Sequence, residues 1–346
     1  MATRGSWYAS QLREELGLRN RQCARGRAHV ESYGSAPVIV YAPEDGRHGN
    51  FLDAAYAAIV ERPEWMRRFD KIHAQGRSLP KAERRWRELD SSMSSDALLM
   101  NVFCTPGVVE SEAVQHMLGV ERDASPVFGW KARVPLHKGQ LDRTEVDMRL
   151  GSLLVEAKLT ETDFLSRSAA IIEAYRDFEE VFERDLVPRV ALRTLRRKEA
   201  VEFPEEFSQE PEDVSLSDGE MDLRAEVASA YHSEIVAKDL AQKPTEPGYA
   251  CYQLIRNVLA AHAHGCRFCL MHDARRPDLR EAWFQVMAAV KSAEMRVRLK
   301  VITWQELAAV LPDGLQKFLD RKYGIAEWPQ VTSLSRGRDG WNVDCP

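Results

Sequence analysis

Residues 144–159, TEVDMRLGSLLVEAKL, constrain this chain more than any other stretch. Two runs of alternating residues flank Gly151-Ser152, a glycine-first pair of the kind that closes a tight type II′ hairpin. With those two residues in the turn, Leu150 faces Leu153, Arg149 faces Leu154 and Met148 faces Val155. Asp147 then faces Glu156, and Glu145 faces Lys158. Side chains alternate along a strand, so Glu145, Asp147, Glu156 and Lys158 project from one side. Val146, Met148, Leu150, Leu153, Val155 and Ala157 project from the other, which is wholly apolar. Directly opposed carboxylates destabilise a sheet unless something offsets them. Mg²⁺ prefers oxygen ligands and commonly takes one or two protein carboxylates together with substrate phosphate. Lys158 beside such an ion could orient and help deprotonate a water. The alternative is an exposed strand face on which Glu145 and Lys158 form an ordinary cross-strand ion pair.

The surroundings predict an α/β protein. A helix is expected over 91–104 behind a Ser/Asp cap, and a second over Ser111–Gly119. A strand over 127–136 follows, then the hairpin strands over 144–150 and 153–159. The apolar periodicity predicts helices over 166–186, 249–264 and 279–291, with strands over 267–272 and 297–303 and a last helical turn over 304–311. The order of elements implies a mixed sheet flanked by helices. A division follows into a basic, mostly helical region (1–90), a core (91–310) interrupted by an insertion (160–246), and a tail (311–346).

This arrangement resembles the PD-(D/E)XK nuclease superfamily, through Asp147, eight intervening residues and then Glu156-Ala157-Lys158 on a hairpin between helix–strand units. Val146 stands where the family name has proline. The resemblance implies a restriction endonuclease-like fold and Mg²⁺-dependent hydrolysis of phosphodiester bonds, in DNA, in defence or repair, with Mn²⁺ as a substitute. It assigns Asp147, Glu156 and the Ala157 carbonyl as metal ligands and Lys158 as the water-activating residue. Glu145 is an extra acid, as a further metal ligand or as the partner of Lys158. An acid from the preceding helix often completes such sites, and Asp96, Glu112 and Glu110 are the candidates. Gln253-x-x-x-Asn257 is similar to a glutamine-containing helix motif of some members, which makes Gln253 a site candidate. The adjacent Tyr252 and Arg256 are candidates to touch phosphate.

Charge distribution bears on the partner. The net charge is −5, yet nine acidic residues and no Lys or Arg fall between Glu202 and Asp222, and residues 1–90 hold sixteen Lys/Arg against twelve Asp/Glu. Without the acidic tract the chain is net positive, as a nucleic-acid ligand favours. Arg84, Arg85 and Arg87 around Trp86 suit a backbone and a stacked base, or are a solvated helix face with a core tryptophan. The tract is a solvated linker or an internal mimic of the nucleic acid. The six cysteines are too scattered for a disulfide framework, which together with the lack of a signal or spanning segment predicts a cytoplasmic protein that meets no membrane. Five potential zinc ligands lie among His262, His264, Cys266, Cys269 and His272, but strand spacing sends Cys266 and Cys269 to opposite faces. No phosphate-binding glycine loop, G-x-S-x-G elbow or H-E-x-x-H string is present. A homodimer would pair two sites for double-strand cutting, though no dimer face is legible. The competing reading is a module of the same fold that binds nucleic acid, or acts as a scaffold, without chemistry.

Overall fold

A computed structural model describes residues 4–32, 38–72, 87–193 and 245–325. Arg84, Arg85 and the acidic tract lie outside them. The elements that build the core are α1 (Arg4–Cys23), α2 (Ser95–Phe103), α3 (Glu112–Leu118), β1 (Pro126–Lys131), β2 (Glu145–Leu150), β3 (Leu153–Ala157), α4 (Tyr252–Ala263), β4 (Arg267–His272), α5 (Pro277–Ala289), β5 (Leu299–Thr303), α6 (Trp304–Ala308) and α7 (Asp313–Tyr323). The five strands form one mixed sheet in the order β5-β4-β3-β2-β1. β1 with β2 and β2 with β3 pair antiparallel, and β3 with β4 and β4 with β5 pair parallel. Among the described residues no helix is long and apolar enough to cross a membrane.

The sheet is covered on both faces, as its parallel half requires. Leu154, Phe268, Leu270 and Leu299 join one core with Leu254, Val258 and Trp283 of α4 and α5. Met148, Leu150, Leu153, Val155, Cys269 and Met271 join the other, with Leu12 and Leu16 of α1, Leu98 and Val102 of α2 and Leu315, Phe318 and Leu319 of α7. Cys266 and Cys269 fall in opposite cores, as their spacing on a strand predicts.

The hairpin register is the expected one at Leu150–Leu153, Arg149–Leu154 and Met148–Val155. Gly151 takes φ +57°, the left-handed region that primed turns need and glycine enters without strain. The ladder stops at Met148–Val155, and Val146 joins the core opposite to the one that takes Met148. The expectation of one uninterrupted apolar face is corrected there.

Two further expectations change. The helix over 166–186 is replaced by a two-residue strand, Arg167–Ser168, and short helices Ala169–Ile172 and Phe178–Val181. Ile172, Tyr175, Phe178, Val181 and Phe182 are buried as the periodicity demands, but Arg167 and Ser168 pair with Tyr249 and Gly248 of a strand at Thr245–Tyr249. Long-range pairing overrides local helical preference, and Arg189–Arg193 pairs with the other edge of that strand. The tail expected from 311 begins instead with α7, capped by Gly324 at φ +64°.

Candidate active site

The first turn of α2, the start of β2 and the end of β3 bring four carboxylates together. Ser94 caps α2 by accepting from the Ala97 N–H, which places Asp96 in the first turn, where backbone N–H groups favour negative charge. Asp96 is 5% exposed, and its Oδ2 accepts from Arg68 Nη2 at 2.8 Å, Arg68 Nε at 3.2 Å and Lys71 Nζ at 3.3 Å. Arg68 Nη1 donates to Glu145 Oε2 at 2.6 Å. The α2 acid is therefore Asp96. Glu112 pairs with Arg122 at the surface and Glu110 is exposed.

Asp147 lies opposite the point where the β1 ladder skips Gly129. Its Oδ2 accepts from the Ala157 N–H at 2.7 Å, across the gap where the β2–β3 ladder has ended. Glu156 is 1% exposed, with Oε2 accepting from Asn257 Nδ2 at 2.7 Å and Oε1 ion-paired with Lys158 Nζ at 2.9 Å. Lys158 is buried over the Phe164 ring. Its backbone N–H donates to the Met271 carbonyl and its carbonyl accepts from Trp304 Nε1. Glu145 and Lys158 thus do not pair across the hairpin as one reading expected: Arg68 holds the first and Glu156 the second.

Electrostatics separate the acids. Burial pushes Asp147 well above the usual carboxylate range, the nearby charges of Glu156 and Asp96 push it further, and Lys158 and the Ala157 N–H oppose them. Burial would raise Asp96 too, but Arg68 and Lys71 overcome it and hold the group down at about 2. Burial would favour neutral Lys158, yet Glu156, Glu161 and Asp147 keep it firmly an ammonium. Among the described residues no three His, Cys, Asp or Glu side chains converge as a finished metal cage. Ammonium and guanidinium groups stand between the carboxylates instead. Oxygen donors suit a hard divalent ion, and the crowding that raises Asp147 is what such an ion would relieve.

The helix motif divides differently from the expectation. Asn257, in the place of the usual tyrosine, touches Glu156, and Arg256 Nε and Nη2 donate to the Asn257 Oδ1 at 3.2 and 3.1 Å. Arg256 also donates to the Glu145 carbonyl at 2.7 Å and is 2% exposed. It ties the α4 amide to the start of β2. Tyr252 is 5% exposed, with its hydroxyl 3.2 Å from that of Tyr175, and is likewise a core residue. Gln253 Oε1 is buried without a hydrogen-bond partner, a polar atom that awaits one. Arg87 is exposed, and its backbone N–H donates to Asp90.

Sequence reasoning missed four residues here. Arg68 and Lys71 lie in a basic region whose many cations look alike. Gly129, at φ +62°, leaves room for the guanidinium: a Cβ there would stand 2.3 Å from Arg68 Nη1. A glycine inside a strand is the signal that could have found it. Fully buried Arg276 donates to the carbonyls of Leu159, Glu161 and Thr162, fixing the chain just past Lys158.

A mixed sheet with helices on both faces and clustered acids at one edge of neighbouring strands is compatible with a restriction endonuclease-like fold. A family model described as "Restriction Endonuclease associating with ARP" matches residues 18–324, and the chain belongs to that restriction endonuclease family. No significant match is found among curated proteins or among solved structures.

Proposed function

We propose that the protein is a divalent-metal-dependent nuclease of the PD-(D/E)XK type that cleaves DNA. The observation that carries the reading is the crowding of Asp147 against Glu156 and Asp96 beside the Lys158 ammonium, within a chain of a restriction endonuclease family. Asp147, Glu156 and the Ala157 carbonyl would hold Mg²⁺ or Mn²⁺. Such an ion would polarise the phosphoryl oxygen and lower the pKa of a bound water. Glu145, tied to Arg68, serves this site as a structural acid in the resting protein.

Asn257 presents the Glu156 carboxylate in a fixed rotamer, and Arg256 fixes Asn257. Lys158, as an ammonium, donates to the attacking water or to the phosphoryl oxygen, steadying the negative charge that develops there, while Gln253 Oε1 is an acceptor for that water or for substrate. Cytoplasmic residence and action as a homodimer remain parts of the proposal.

Nicking of supercoiled plasmid with Mg²⁺ tests it. Asp147→Asn and Lys158→Ala should each lower the rate by about 10²-fold or more. Unchanged rates in both would end the assignment, and Mg²⁺-insensitive DNA binding without nicking would point to an inactive module of the same fold.

A further inference from the structure

The site's carboxylates are unequally neutralised. Asp96 and Glu145 carry Arg68 and Lys71, two cations for two acids. Asp147 has one backbone N–H, and Glu156 shares the single ammonium of Lys158. Glu161, the next acid along, is already satisfied by the Leu159 N–H and the Ser95 hydroxyl. Among the described residues, Asp147 is therefore the carboxylate of the four that no cation touches, and it stands beside a Glu156 that has a single ammonium.

The cationic side is built into the fold. Arg68 is 9% exposed, reaches both acids with three N–H groups, and lies against the bare backbone of Gly129. Lys71 is a quarter exposed and sits on the same Asp96 oxygen. Asp147 attracts both cations as well. In two-ion phosphodiesterase sites the metals stand about 3.5–4 Å apart and share flanking carboxylates. Here the carboxylates that would hold the second ion are occupied by a guanidinium and an ammonium.

We infer that Arg68 and Lys71 take the place of a second divalent ion, so that the site binds one ion, on Asp147 and Glu156, and meets the substrate phosphate with two side-chain cations on the other side. This rests on the metal-dependent reading above. Together the guanidinium and the ammonium on Asp96 repel a second doubly charged ion and supply the positive pole that ion would have given, two single charges in place of one double charge. Lys71, with solvent access, is the cation nearest to an incoming phosphate.

Counting Mn²⁺ bound to the metal-free full chain, by the electron paramagnetic resonance signal of free Mn²⁺, tests the inference without reference to activity. The wild type should bind one ion per chain, and Lys71→Gln, which removes one of the two cations on Asp96 while leaving Arg68 in place to hold the fold, should bind two. Arg68→Gln is the harsher variant, because it strips buried Asp96 of its main partner and endangers folding. Two ions on the wild type, or one ion on a folded Lys71→Gln chain, would overturn the inference and leave the nuclease reading intact. No ion on any form would overturn both.

Discussion

Asp147 carries an electrostatic load that the metal-free protein does not relieve. Its folded-state pKa is raised by burial first and by Glu156 and Asp96 next. The contribution of this group to stability is present in acid and is lost as pH rises through the folded value, because the unfolded chain ionises more easily. Asp147→Asn should therefore raise the Tm of the metal-free protein at pH 8 more than at pH 5, while abolishing the Tm increase that Mg²⁺ gives the wild type. A lower Tm at pH 8 would mean that the crowding carries little energy. Asn257 acts through Glu156. Asn257→Ala leaves the Glu156 Oε2 and the Arg256 guanidinium without their shared amide, and loss of a group that orients a ligand typically weakens metal affinity by about 10–100-fold. Mn²⁺ titration of the variant measures that directly.

Helices α1 and α7 meet around a buried lysine of their own. Lys322 is 1% exposed, donates to the neutral Asn20 Oδ1 at 2.8 Å and lies 4.4 Å from the Tyr41 ring centroid. Burial lowers it from an ordinary 10.5 to about 7, with Cys23 opposing and Arg321 adding to the shift. Between those two values the unfolded chain binds the extra proton, so stability rises with pH across the window, by at most about 1.4 kcal/mol per unit. Lys322→Met should remove that slope and raise the Tm at pH 7, which chemical denaturation at pH 7 and pH 9.5 would check. The same slope in both proteins would mean that Lys322 reaches solvent. At strand level, Gly129→Ala demands a strained φ and a displaced Arg68. It should destabilise by about 1–3 kcal/mol and reduce nicking, a pairing that distinguishes it from a variant that perturbs the strand alone.

Over the whole chain, the described residues on either side of 194–244 are neighbours, because Arg193 pairs with Thr245 at the end of an antiparallel ladder. A short glycine-containing turn can join adjacent strands, so replacing that stretch should leave the Tm nearly unchanged. If the acidic residues 202–222 compete with nucleic acid, the same replacement should tighten DNA binding at low salt, and unchanged affinity would mark them as a solvated linker. Much of the architecture was legible because it rests on local periodicity: the hairpin register, β4 to the residue, and the caps of α2 and α3 all follow from short-range pattern and turn chemistry. α7 was legible in principle, from Pro312, the spacing of Leu315, Phe318 and Leu319, and Gly324. The short strands Arg167–Ser168 and Thr245–Tyr249 were not, because each depends on a partner far away in sequence.

The sequence by itself determined that acidic groups and a lysine would meet on one hairpin, since a two-residue turn and the pleat leave little freedom over so few residues. Only the tertiary structure decided which distant groups complete the cluster. Arg68, Lys71, Asp96 and Asn257 come from three elements packed around that hairpin. Asp96 and Asn257 stood among the candidates, but nothing in the local pattern of Arg68 and Lys71 separates them from the other arginines and lysines of a chain in which 29% of residues are charged. Burial makes the choice: inside a low-dielectric site each charge needs a partner, and the fold places these.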